Sequence, residues 1–242
     1  MVRVFIDPGH GGADPGAVAN GLQEKDICLS ISLMLRNILV REYTGIFVKL
    51  SRTTDRTLTL NERTNMANQW HADLLISVHV NAGRGTGFES FIYHGKYASK
   101  ERTDRWRGLL HDEIVQGSML RDRGRKQANF HMLRESRMPA VLTENGFIDT
   151  MEDAKKLKNT TFLEQIAHAH AAGVVKIFEL KKKNVPTSIP GGPQVNQYHV
   201  IKKGDTLWSL AGRYNTTVQQ LLQWNQPIVP EHLQIGRKIK VR

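Results

Sequence analysis

A single cysteine, Cys28, is all the chain carries, so no disulfide can close within it. It falls in a helical pattern with Ile27, Ile31, Leu35 and Ile38, where a thiol packs as a small apolar side chain rather than serving as a nucleophile. No apolar run approaches the roughly 18 residues that span a bilayer, so membrane insertion is not expected. The N-terminus enters a strand directly, without the charged and apolar lead of a secretion signal, so that export route is not expected either. Acidic groups are in the minority, 23 against 34 Lys and Arg, for a net charge of +11. The basic segments lack the interleaved aromatics on which nucleic acid stacks, which argues against a nucleic-acid partner. Also missing is any compact metal motif of the HExxH kind.

What is present begins with Val2 to Gly12, VRVFIDPGHGG. An apolar strand breaks at Pro8-Gly9, presents His10 and runs into a glycine pair. Two further apolar runs end in the same manner. Leu74 to His79 delivers a second imidazole, and Ala140 to Glu144 delivers a carboxylate. Strand ends that carry such groups into loops build sites at the rim of a parallel sheet.

Strands expected at 2–7, 46–50, 74–80, 88–93, 130–133 and 140–143 alternate with helices at 24–42, 60–70 and 99–116 and a closing helical region. Thr59 with Glu62 reads as a capping box, Arg121 to Lys126 as a basic loop, and His170 as a hydrogen-bonded core histidine. The pattern predicts an α/β domain over residues 1–180, a twisted and mostly parallel sheet flanked by helices. Residues 181–196, with three prolines and two glycines, read as a linker. Residues 197–242 form a small βααβ module whose core candidates include Leu207, Trp208, Leu210 and Ile239. That module carries seven Lys or Arg against Asp205 and Glu231, which suits an anionic partner surface.

His10, Glu24 and His79 make a two-imidazole, one-carboxylate set, the kind that holds a catalytic zinc and leaves a fourth position to water. The competing readings are a polar loop for His10 and a helix-dipole role for Glu24 in the first turn of its helix. Glu144 is a candidate base for such a water; otherwise it is a buried carboxylate held by backbone amides or by Arg52, Arg56, Arg63 or Arg134. Asp7 and Asn81 are candidates to orient the ligands, or ordinary turn residues.

The segments IDPGHGG, the glutamate of LQEKD, SRTTDRTLTLNERTNMAN, ADLLISVHVNA, GFESFIYH and PAVLTENGFID together resemble the zinc-dependent N-acetylmuramoyl-L-alanine amidases of the amidase 3 type. The resemblance implies one Zn2+ on His10, Glu24 and His79, Glu144 as catalytic glutamate, and hydrolysis of the muramoyl–alanine amide of peptidoglycan through a zinc-activated water. An asparagine usual after the GFI segment is replaced by Asp149-Thr150. The tail resembles a LysM module, which implies a GlcNAc-containing glycan as partner, with Gly204, Asp205, Thr206, Leu207 and Ile228 near the sugar. Alternatives are a zinc peptidase or deacetylase acting on the wall, or a non-catalytic wall-binding protein. The expectation is a monomer, made in the cytoplasm and reaching the wall after lysis or through a pore.

Overall fold

The computed structural model describes residues 1–183, 197–202, 205, 207–214, 216, 218–228 and 233–241, with the backbone alone at 208, 209, 212, 218 and 219. The chain divides into two compact units, Met1–Lys183 and Asn184–Arg242. The first opens with β1 (Val2–Pro8), a short hairpin of β2 (Val18–Ala19) and β3 (Leu22–Gln23), and α1 (Glu24–Glu42). It continues through β4 (Ile46–Leu50), α2 (Leu60–Gln69), β5 (Leu74–Asn81), β6 (Phe88–Tyr93), α3 (Lys100–Ser118) and β7 (Asp122–Ala128). The last elements of this unit are α4 (His131–Arg134), β8 (Ala140–Phe147), α5 (Met151–Leu157) and α6 (Thr160–Phe178).

Six strands form one sheet in the order β4-β1-β5-β8-β6-β7. Every neighbouring pair is parallel except β6 with β8, so the expected mostly parallel α/β sheet is what the chain forms. Strand β1 is central because its residues from Val4 to Pro8 are buried and it pairs on both sides. Phe5, Leu75, Ala140 and Leu142 share one face and pack with Ala67 of α2 and with Met132 and Leu133 of α4. Continued toward the strand C-termini, the same alternation carries Asp7, His79 and Glu144. Helix α6 packs against both α1 and α3. Gly173 lets α6 approach α3 closely, since a Cβ there would lie 2.8 Å from the Leu110 backbone.

Several boundaries differ from expectation. Arg121 to Lys126 is no loop: most of it belongs to β7, which pairs with β6 at the sheet edge. Its run of charge, which masks strand periodicity, is how an edge strand discourages further pairing. Phe130 to Leu133 is not a strand either; Met132 and Leu133 are buried as neighbours in the helical turn α4, whereas a half-buried strand would alternate. Strand β8 runs on through Glu144 to Phe147, so that carboxylate sits inside a strand rather than at its end. Lys181–Lys183 are not yet linker: Thr44 and Lys183 backbone amides donate to Lys181 and Glu42 carbonyls, tying them to the first unit. The rest of the expected linker lies outside the described residues.

Thr59 and Glu62 form the expected capping box. Cys28 is wholly buried in the core. In the second unit, β9 (Tyr198–Val200) pairs antiparallel with β10 (Lys238–Lys240), and α7 (Leu207–Arg213) and α8 (Val218–Trp224) lie between them in sequence. Ile201, Leu207, Leu210, Ala211, Leu221, Ile239 and Val241 make its apolar centre, while the side chain of Trp208 lies outside the described set. Among the described residues no helix is long and apolar enough to cross a membrane.

His170 is fully buried, as expected, with Nδ1 on the Ile166 carbonyl and Nε2 on the Thr143 hydroxyl. Burial pushes its imidazole down to about 4, only partly offset by the Ile166 hydrogen bond. The folded value lies below the unfolded one, so as pH falls the unfolded chain takes the proton first. The stability contributed by neutral His170 is whole above pH 6.5 and is lost between there and about 4, roughly 3 kcal/mol in all. Urea denaturation across this window should show the loss, and His170→Gln should flatten that part of the profile while lowering stability at neutral pH.

Candidate metal centre

The loop after β1 is held by two buried arginines. Arg52 donates from Nε to the Pro8 carbonyl (3.1 Å) and from Nη2 to those of Gly9 (2.7 Å) and Lys25 (2.8 Å). Arg63 donates from Nη1 to Pro8 O (2.6 Å) and from Nη2 to His10 O (2.5 Å). Arg63 is itself anchored by Asp7 at 2.9 Å, and Asp7 accepts from the hydroxyls of Ser51 and Ser77. Both partners of this pair are buried, so removing one would strand a charge and cost about 3–5 kcal/mol. Asp7 therefore acts on the site through Arg63 and the loop backbone, and it touches no candidate ligand directly. Arg52 and Arg63 serve the His10 loop and not Glu144, as one reading of the sequence had it.

His10 adopts a left-handed backbone conformation, φ 57°. Its Nδ1 meets Asp14 Oδ2 at 2.8 Å, which leaves Nε2 facing Glu24 Oε2 at 3.1 Å. The other carboxylate oxygen of Glu24 lies 3.0 Å from His79 Nδ1. The two imidazoles stand edge-on, with ring centres 5.1 Å apart. Backbone amides of Ala17 and Val80 donate to the two Glu24 oxygens and fix the carboxylate at the start of α1. Two glycines make room: a Cβ on Gly9 would lie 2.5 Å from the His79 ring, and one on Gly16 would lie 2.6 Å from Glu24 Oε2.

One ligand atom from each of His10, Glu24 and His79 can be chosen so that all lie within 4.8 Å of one another. Ligands around a four-coordinate zinc lie about 3.3 Å apart, close to the two His–Glu separations. Glu24 is buried, yet among the described residues no Lys or Arg bonds to it. Burial works against its charge, but the bonds to His10 and His79 prevail and hold the carboxyl well below the usual range. An ionised, buried carboxylate between two imidazoles and without a basic side chain fits a metal cation. The pairing of His10 with Asp14 supplies the outer carboxylate that orients a ligating imidazole.

Glu144 pairs with His79 on one side and with Glu89 on the other, so the three side chains share one row across β5, β8 and β6. The Asn145 side chain donates to the His79 carbonyl and locks the register there. Glu144 is half-buried overall, but its Oε2 is sealed from solvent and has no hydrogen-bond partner. Burial first, then the negative charges of Glu24 and Glu89, push its carboxyl well above the usual value. Among the described residues neither a backbone amide nor an arginine holds that oxygen. Asn81, expected beside the ligands, donates instead to Glu89 at 2.6 Å. Asp149 accepts from the Gly83 and Arg84 amides, away from the ligand set.

The sequence reading missed Asp14, although His-x3-Asp after a glycine pair is visible, and it missed Glu89, which only strand pairing brings beside Glu144. In the second unit, Asp205 accepts from His199 Nε2 (2.6 Å) and from the Lys202 amide (2.8 Å). Leu207 is buried in the apolar centre, and Ile228, part-exposed, packs against its edge. Gly204 and Thr206 lie outside the described residues.

A parallel sheet that gathers two imidazoles and two carboxylates at the C-terminal side of its strands is the framework of a single-metal hydrolase. The family profile of N-acetylmuramoyl-L-alanine amidases (amidase 3) matches residues 4–176, and that of the LysM domain matches residues 199–242. The chain belongs to this amidase family. It is 52% identical over 213 residues to a sporulation-specific N-acetylmuramoyl-L-alanine amidase of Bacillus subtilis, covering 87% of this chain and 81% of that protein. An endolysin of Bacillus phage SPP1 is 44% identical over 75% of this chain and 68% of its own length. The crystal structure of an N-acetylmuramoyl-L-alanine amidase from Clostridium difficile 630 superposes with a TM-score of 0.70 at 35% identity, over 74% of this chain and 97% of that one.

Proposed function

We infer that this member of the family hydrolyses the amide between N-acetylmuramic acid and L-alanine in peptidoglycan, with zinc held by His10, Glu24 and His79. The observation that carries the reading is the buried Glu24 carboxylate shared by two imidazoles, with Glu144 one strand away. When bound, the ion supplies Lewis acidity for the scissile carbonyl and for an attacking water. Asp14 orients the His10 ring through Nδ1, and the Arg52–Arg63 pair keeps the loop beneath it rigid. Glu144, part-exposed in the row beside His79, takes a proton from the water and delivers it to the leaving nitrogen. Its raised affinity for a proton suits the second role, and the positive charge of a nearby ion would restore the ionised form needed for the first.

The LysM match supports peptidoglycan binding by the second unit, and we assign it a GlcNAc-containing glycan. With the Leu207 side chain buried, part-exposed Ile228 is the apolar group of the two left for a sugar. The net positive charge of residues 197–242 favours an anionic wall, and tethering raises local enzyme concentration on its substrate. We also propose that the enzyme reaches the wall by lysis or through a pore, a reading supported by its likeness to a phage endolysin and a sporulation-specific amidase. Recovery of the enzyme from the medium of intact, growing cells would contradict that route.

Glu144→Gln should retain zinc and lose about 10²- to 10⁴-fold in turnover of muropeptides, read by mass spectrometry of the released peptides. The same inert full-length protein should stay on purified walls and come off with soluble GlcNAc oligomers. Undiminished turnover would remove Glu144 from the reaction, and indifference to the oligomers would remove the glycan assignment.

A further inference from the structure

Beyond Glu144, the row across the sheet ends in a group that the reaction leaves unexplained. Glu89 is buried and accepts on Oε1 from the Asn81 side chain and on Oε2 from Arg123 Nε (3.0 Å) and from Lys126 Nζ. Two cations therefore share one carboxylate, and the cluster carries a net positive charge. A single cation would neutralise Glu89, so shielding a buried charge accounts for only one of them. Arg123 binds with Nε alone; its two Nη groups, the fork that grips a carboxylate, have no partner among the described residues. Its guanidinium lies over the Phe147 ring, 4.7 Å from the centre, so its plane is fixed while the side chain stays 31% exposed. Lys126 is likewise part-exposed beside it.

We propose that Arg123, backed by Lys126, is an anion subsite that receives a carboxylate on the peptide side of the scissile amide. This rests on the reading of His10, Glu24, His79 and Glu144 as the reaction centre. The sugar side offers no free anion, because the lactyl carboxyl is consumed in the amide itself. Strand β7 stands two strands from β8 in the sheet, about 10 Å at the usual spacing. An extended peptide covers that distance in about three residues, which places the carboxylate on the second or third residue of the stem. The pre-oriented fork would thus select acidic stems over amidated ones and set the register of the peptide across the sheet row.

The test compares two N-acetylmuramoyl tripeptides, one with free carboxylates on residues two and three and one with both as carboxamides, cleaved by the full-length enzyme. The wild type should prefer the acid, through KM. Arg123→Gln should cut that preference about tenfold or more, the loss of one charge-assisted pair. Arg123→Lys, which keeps the charge without the fork, should recover part of it. Zinc content measured alongside shows that the ligand set is intact. A preference unchanged in Arg123→Gln, or equal losses on both substrates, would overturn the subsite and mark Arg123 as a structural partner of Glu89. A wild type that uses both substrates equally would overturn it as well while leaving the amidase reading in place. If the wild type cleaves neither amide, the reading of the reaction centre falls, and the subsite with it.

Discussion

The carboxylate of Glu24 is the constraint on which the site depends. It is buried, it is ionised, and each of its oxygens faces one imidazole. Burying a charge is costly unless it is paired, and here the partners are two neutral-capable rings and two backbone amides rather than a basic side chain. A metal cation resolves that imbalance in the way the donor types favour. Much of the neighbouring structure serves to hold these three groups in place: the amides of Ala17 and Val80, the glycines that leave room for the rings, and Asp14 behind His10.

Around this centre the sheet works as a ruler. The register from β5 through β8 to β6 places His79, Glu144 and Glu89 side by side. Parallel pairing of β1 with β5 then brings the loop with His10 to the same end. The single antiparallel neighbour, β6, presents Glu89 in that row, and the edge strand β7 supplies Arg123 and Lys126. Glu144 owes its raised proton affinity to burial first and then to the negative charges of Glu24 and Glu89 beside it.

The cluster of His10, Glu24 and His79 was legible in the sequence because each member sits where chain chemistry changes. His10 follows a Pro-Gly break, His79 closes an apolar run, and Glu24 opens a periodic helix. The capping box at Thr59 and the buried His170 were legible for similar local reasons. Edge strand β7 was not, because DRGRKQA carries no apolar alternation and its strand character comes from pairing with β6. The extent of β8 was hidden by Glu144 and Asn145, polar residues that interrupt an apolar run for reasons of chemistry. The partners of Asp7, Arg52 and Arg63 in the site lie 27 to 70 positions away, a distance no local pattern reveals. In the second unit, the core role of Leu207 was legible in the sequence, and its side chain is buried there.

The central claim is that His10, Glu24 and His79 hold one metal ion that the reaction requires. Its most direct test is elemental analysis of the purified full-length protein alongside muropeptide cleavage, before and after chelation. The account predicts one zinc per chain, activity that disappears with the ion and returns with it, and neither in His79→Ala. Metal-free protein that cleaves the amide at the full rate would contradict it.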